Sequence, residues 1–190
     1  MQNKVGRFSS PPAQVASSKL VKKPKPPYYS RRETFNSVIV IDTGNRGRGV
    51  FATTDFVGGQ AIGEVRGEYK PRDYRSDYCV DFKDGTLEPV APYRFLNHSC
   101  DPNCQFIEWQ IETPDNETVS ELWLHALRAI STGEELTIDY GWDWQAAIPC
   151  LCGAPNCRGW ICKEEDLESL RQFRPNEYTR VLETRTTVNS

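Results

Sequence analysis

The chain has 190 residues, 38% hydrophobic and 11% aromatic, enough to bury the core of one domain with tails to spare. Its longest apolar run, Val38 to Ile41, has four residues against the roughly 18 of a membrane span, and no apolar secretory core opens the chain; a soluble intracellular protein is expected. Eight of the 23 Lys and Arg fall in residues 1–32, which hold no Asp or Glu, so the rest carries fifteen basic against 26 acidic residues, net −11.

An acidic body draws in cationic polypeptides, or simply stays soluble. Residues 1–32 read as a disordered basic arm, since Pro24-Lys25-Pro26-Pro27 cannot enter a regular element. The run Lys19 to Lys25 has three readings: a nuclear import signal, a nucleic-acid contact or a solvated arm. Nucleus, chromatin and cytoplasm all remain open as compartments.

From Ser37 short strands alternate with turns. Val38 to Ile41 reads as a buried strand. Asn45 to Gly49 is a turn, and Val50-Phe51-Ala52 starts the next strand. Gln60 to Val65 is a third. Tyr78 to Phe82 alternates and stops at Asp84-Gly85, a hairpin signal. Phe106 to Ile111 and Leu122 to Ala126 form a pair joined by a polar loop, and Leu136 to Tyr140 is a further strand. Only Lys163 to Phe173 reads as clearly helical. Many short strands with few helices predict a mostly β domain.

Seven cysteines in an intracellular chain argue for metal binding rather than disulfides. Cys150, Cys152 and Cys157 offer three thiolates within one loop, where Gly153 and Pro155 help the chain wrap an ion. Zinc in structural sites takes four ligands. The fourth is Cys100, beside the Asp101-Pro102 turn, or its rival Cys104. Arg46-Gly47-Arg48-Gly49 permits a close backbone approach, but no helix follows to make a dinucleotide motif. Asn97-His98-Ser99 is a polar turn able to hold a ligand. Tyr140 either aims its phenol into a site or packs across strands. Trp142, Trp144 and Trp160 either stack on a ligand or cation or cover a small C-terminal core.

Three motifs occur in order: R-F-L-N-H-S-C-D-P-N (94–103), G-E-E-L-T-I-D-Y (133–140) and C-x-C-x-x-x-x-C-R-G (150–159). Together they resemble the SET-domain protein lysine methyltransferases, over nearly two-thirds of the chain from Val38 to Ile161. The resemblance implies a SET fold of small curled sheets with a knot-like C-terminal threading, a rare topology. It divides the chain into the arm (1–32), a SET domain (36–144), a post-SET zinc loop (145–162) and a C-terminal helix and tail (163–190).

The resemblance also implies S-adenosyl-L-methionine as methyl donor and structural Zn2+. By position, Arg46, Gly47, Arg48 and Gly49 line the cofactor, Asn97 and His98 contact it, and Trp160 packs near its adenine. Tyr140 is the catalytic tyrosine, and Tyr78 and Ile138 wall the lysine channel. Cys100, Cys150, Cys152 and Cys157 hold the metal. The implied substrate is a lysine of a basic protein tail, a histone foremost. The alternatives are a non-histone protein target and a non-catalytic SET-like peptide-binding module. There are departures from the family pattern. No cysteine-rich segment precedes Val38. Ile138 stands where the family often has Phe or Tyr, which predicts tolerance of di- or trimethyllysine. Val65 replaces an aromatic beside Gly67-Glu68, on the expected cofactor wall.

Overall fold

Short strands separated by glycine- and proline-bearing turns build the body of the molecule. The computed structural model describes residues 3–4, 37–43, 46–82 and 85–188. Strand β1 is Asn3–Lys4, β2 Val38–Asp42 and β3 Arg48–Ala52. Strands β4 (Ala61–Glu64), β5 (Gly67–Lys70), β6 (Val80–Phe82) and β7 (Gly85–Pro89) follow. Then come β8 (Asn97–His98), β9 (Cys104–Glu112), β10 (Thr118–Ala126) and β11 (Glu135–Ile138). The chain closes with β12 (Ile148–Pro149), β13 (Trp160–Ile161) and helices α1 (Leu167–Phe173) and α2 (Pro175–Val188). Among the described residues no helix is long and apolar enough to cross a membrane.

The strands form three small sheets and one ribbon, in the orders β1-β6-β7-β5, β4-β10-β9, β2-β3-β11-β8 and β12-β13. The β9–β10 hairpin runs in register from Thr118 opposite Glu112 to Ala126 opposite Cys104. Asn116 (φ 60°) takes the left-handed conformation in its turn, which Asn tolerates better than most residues. Val50, Ile62, Leu122, Leu124, Ile130 and Leu136 are almost wholly buried in the shared core. Burial of each such side chain contributes about 1.5–3 kcal/mol. Val65 belongs to this core as well, its amide donating to Leu122 O.

Several elements differ from the sequence expectations. β2 is not a buried strand: it lies at a sheet edge, where Val38 faces inward while Ile39 and Ile41 are 50% and 44% exposed. The arm does hold one regular element, β1. The remainder of residues 1–32, with Lys19 to Lys25, lies outside the described residues, as do Asn45 and Asp84 of the two expected turns. Tyr78 and Tyr140 sit beyond the strands that were expected to contain them. At the C-terminus Glu164–Asp166 is a 3-10 turn and a second helix follows α1. Pro175 opens α2, where its missing N–H costs nothing. Trp160, Ala147, Cys162 and Leu170 make a second small core, which Trp144, Tyr178 and Val181 cover.

Candidate functional site

The site grows from one parallel pairing. Asn97 and His98 of β8 lie opposite Thr137 and Ile138 of β11, and the Ser99 amide donates to Ile138 O at 3.0 Å. This register carries Tyr140, two residues on, back beside Leu96. Asn103, only 2% exposed, pins the arrangement. Its Nδ2 donates to Glu134 Oε1 (2.9 Å) and Glu135 O (2.8 Å), and its Oδ1 accepts from the Thr137 amide at 2.8 Å. One buried amide therefore satisfies two main-chain groups of β11, the Glu135 carbonyl and the Thr137 amide, as buried polar groups require.

Two cavities meet at Tyr140. The larger, about 560 Å³, is lined among others by Arg46, Gly47, Arg48, Phe95, Asn97 and Trp142. The narrow one, about 20 Å³, is walled by Val80, Tyr93, Phe106 and Ile138. Asp77, Tyr78, Arg94, Leu96 and Tyr140 line both. The Tyr140 hydroxyl donates to Leu96 O at 2.8 Å. Burial pushes its pKa up to about 12, helped by Tyr78 and Glu135 nearby, so the phenol is neutral at physiological pH.

Charged groups hold the rims. Glu135 accepts from Arg46 Nη2 and from Asn97 Nδ2, each at 2.8 Å. Asn97 Nδ2 also reaches Arg48 O at 3.2 Å, while the Arg48 guanidinium lies 3.6 Å over the Phe95 ring. Arg94 is clamped by Glu88 at 2.7 Å and stacks 3.8 Å over Tyr78, a cation–π contact that orients the ring. Ile138, 3% exposed, lines the narrow cavity.

Three expected cofactor residues stand elsewhere. Gly49 does not line the cavity. A Cβ there would meet Glu135 Oε1 at 2.6 Å and Asn97 Nδ2 at 3.1 Å, so this glycine makes room for the rim network. His98 is buried and also outside the cavity wall. Its Nδ1 accepts the Tyr140 amide at 3.2 Å, leaving the proton on Nε2, 3.4 Å from Cys100 Sγ. Burial lowers its pKa to about 4, and Arg158 adds to this against Asp139. Trp160 is 1% exposed inside the C-terminal core, stacked on Tyr178 at 6.4 Å. Trp142, two residues after Tyr140, lines the cavity instead.

Among residues that the sequence reading had not picked out, Phe95 and Leu96 sit inside the first motif, so their signal was present. Glu135 and Asn103 likewise lie within motifs. Arg158 is the arginine of the third motif, and only Asp77 among these carried no local signal.

The cysteines converge behind the polar turn. Cys100 Sγ lies 3.8 Å from Cys150 Sγ and 3.9 Å from Cys157 Sγ. The Cys100 amide donates to Cys152 Sγ at 3.5 Å, the Arg158 amide to Cys100 Sγ and the Gly159 amide to Cys157 Sγ, both at 3.4 Å. Four thiolates about 2.3 Å from a tetrahedral zinc stand about 3.8 Å apart, so this set fits the ion. The rival Cys104 is sealed in the main core. His98, Cys100, Cys150 and Cys152 also group within 4.8 Å, but the Nε2 proton makes His98 a donor to the Cys100 sulfur rather than a ligand. Arg158 pairs with Asp139 at 2.8 Å, and Asp139 accepts the Gly141 amide at 3.1 Å. The cysteine loop is thereby tied to the segment that carries Tyr140.

Comparison with known proteins agrees with this architecture. Residues 47–141, half of the chain, match the SET domain. Histone-lysine N-methyltransferase trithorax of Drosophila virilis is 32% identical over 153 residues, 70% of this chain and 4% of that protein. The H3 lysine-36 specific histone-lysine N-methyltransferase of Aspergillus fumigatus is 32% identical over 150 residues, 69% of this chain and 15% of its own. The chain thus spans a small part of these curated relatives. A crystal structure of KRYPTONITE in complex with mCHG DNA and SAH superposes with a TM-score of 0.56 at 24% identity, covering 65% of this chain and 28% of that one. The fold is the mostly β SET fold, and the chain belongs to the SET-domain family.

Proposed function

We propose that this chain is a protein-lysine N-methyltransferase that uses S-adenosyl-L-methionine and acts on a histone tail. The observation that carries the reading is Tyr140 at the junction of a roomy cavity and a narrow channel, its hydroxyl fixed by Leu96 O. The large cavity suits the methyl donor and the narrow one suits a lysine side chain. The names of the trithorax and H3 lysine-36 specific relatives support the substrate class, as does the net charge of −11 on residues 33–190. Action on chromatin follows from that substrate. Residues 36–144 form the SET domain in this reading and 145–162 the zinc loop.

The donor supplies an electrophilic sulfonium methyl group, and the chain's residues do the rest. A free lysine has pKa about 10.4, so only about one in 2,500 is neutral at pH 7. The channel walls, Val80, Tyr93, Phe106 and Ile138, exclude water and disfavour the ammonium form. Because the Tyr140 proton is committed to Leu96 O, its lone pairs remain free to hold the amine and accept weak C–H···O contacts. A neutral phenol positions and does not act as a base. Arg46, Arg48 and Asn97 grip the donor at the rim, and Trp142 offers it an aromatic face. Alignment of amine and methyl then supplies much of the acceleration. Cys100, Cys150, Cys152 and Cys157 would hold a structural zinc that orders the loop beside the site, with no open coordination position.

The test is methyl transfer from labelled donor to core histones by the full chain beside Tyr140→Phe. Transfer by the parent and its loss in the variant is expected. No transfer to any histone removes the substrate, and transfer indifferent to the substitution removes the role of Tyr140.

A further inference from the structure

Strand β6 has two edges. One pairs with β7, and the other carries β1 in parallel, with Asn3 opposite Val80 and Lys4 opposite Asp81. Val80 is buried and lines the narrow channel together with Asp77 and Tyr78. A segment of the chain itself therefore occupies the strand that walls the channel.

A sheet edge recognises main-chain groups, so it accepts any extended segment that presents matching N–H and C=O groups. Charge does not separate the candidates here. Residues 1–32 are as basic as a histone tail, with eight Lys or Arg and no acid, and the body attracts both. We propose that the outer edge of β6 is a peptide-docking strand whose intramolecular occupant is the segment around Asn3 and Lys4, and that this segment competes with the incoming substrate peptide. The identity of that competing peptide rests on the methyltransferase reading; the docking itself does not. A two-residue ladder is weak alone, but residues 5–37 tether it to the domain and raise its effective concentration. Reach is no obstacle, since 33 residues extend up to roughly 110 Å.

The test uses the full chain and a variant carrying Asn3→Pro and Lys4→Pro, because proline removes the ladder N–H. A fluorescein-labelled peptide copying residues 1–12 is titrated onto both by anisotropy, and KM for a histone H3 tail peptide is measured. The variant is expected to bind the labelled peptide about three- to tenfold more tightly, as loss of a tethered competitor requires. Its KM should fall by a similar factor at unchanged kcat. Equal affinity of the two chains for the labelled peptide overturns the docking, whatever the activity. Tighter binding with an unchanged KM overturns the competition. Tighter binding with no methyl transfer from either chain upholds the docking and sinks the methyltransferase reading.

Discussion

The hydroxyl of Tyr140 lies 2.8 Å from the carbonyl oxygen of Leu96, 44 residues earlier in the chain. Both residues line both cavities. This bond joins the two motifs that build the site and fixes the phenol where the cavities meet.

Tyr140→Phe keeps the ring and loses the bond. One neutral hydrogen bond is worth about 0.5–1.5 kcal/mol, so the melting temperature should move by only a few degrees. Transfer should fall at least about a hundredfold, the scale of losing a preorganised polar group at the reacting atoms. Binding of S-adenosylhomocysteine, read by calorimetry, should stay within about threefold, since the phenol is one of many cavity contacts. A variant that lost donor affinity and fold together would show a structural role instead.

The cysteine cluster makes metal content and site order one quantity. The parent chain should carry one zinc per chain by elemental analysis, and Cys152→Ser should carry little. The Arg158–Asp139 pair couples that loop to Gly141. Metal loss should therefore lower the thermal midpoint and weaken S-adenosylhomocysteine binding without altering any group lining the cavity. Unchanged melting after chelation would break this coupling.

Ile138 lines the narrow cavity beside Tyr140. Ile138→Phe adds volume where about 20 Å³ is open, so further methyl groups on the amine lose their room. Mass spectrometry of a histone peptide should show di- or trimethyllysine with the parent and mainly monomethyllysine with the variant. Overpacking costs about 1–3 kcal/mol, which a melting curve would register. Trimethylation by the variant at the parent rate would show that Ile138 does not limit product size.

Much of this site could be read from residue types alone. The convergence of Cys100, Cys150, Cys152 and Cys157 was legible because thiolate spacing is a local signal, and the place of Tyr140 because its motif is complete. Sequence proximity to the cysteines does not say which tryptophan faces the cavity; packing against Leu170 and Tyr178 sets Trp160 in the C-terminal core, and Trp142 lines the cavity. The surroundings of Gly49 were not legible either, since a glycine beside a turn looks alike whether a ligand or Glu135 fills its free space. β1 was invisible, because its partner lies 77 residues away and no alternation marks two residues. α2 escaped because its sequence is polar and opens with Pro175.

Asn103 joins the turn after Cys100 to Glu134 and to the Glu135 carbonyl and Thr137 amide of β11. Asn103→Ala would strand the Thr137 amide and the Glu135 carbonyl, and each buried unsatisfied group costs about 1–3 kcal/mol. A loss of about 2–5 kcal/mol is expected in urea unfolding with the m-value preserved. Asn103→Asp should be comparable, because a carboxylate accepts from Thr137 but cannot donate to Glu135 O and would face the Glu134 carboxylate. A variant as stable as the parent would mean that β8 and β11 hold their parallel pairing unaided.

Alkaline stability should report the same tyrosine. The folded-state pKa of Tyr140 is about 12, raised by burial from an ordinary 10.0. The proton is held more tightly in the folded chain, so the stabilisation is fully present below pH 10 and is lost as the pH rises through 12. Two units correspond to about 2–3 kcal/mol. Tyr140→Phe, which has no proton to lose, should unfold less steeply between pH 10 and 12 than the parent, followed by circular dichroism at fixed urea. Tyr93, raised even further by burial, remains in both chains and contributes equally, so the difference between the two curves isolates Tyr140. Identical pH profiles would mean that the phenol at the cavity junction is already solvated, and the dry channel invoked for the lysine would fall with it.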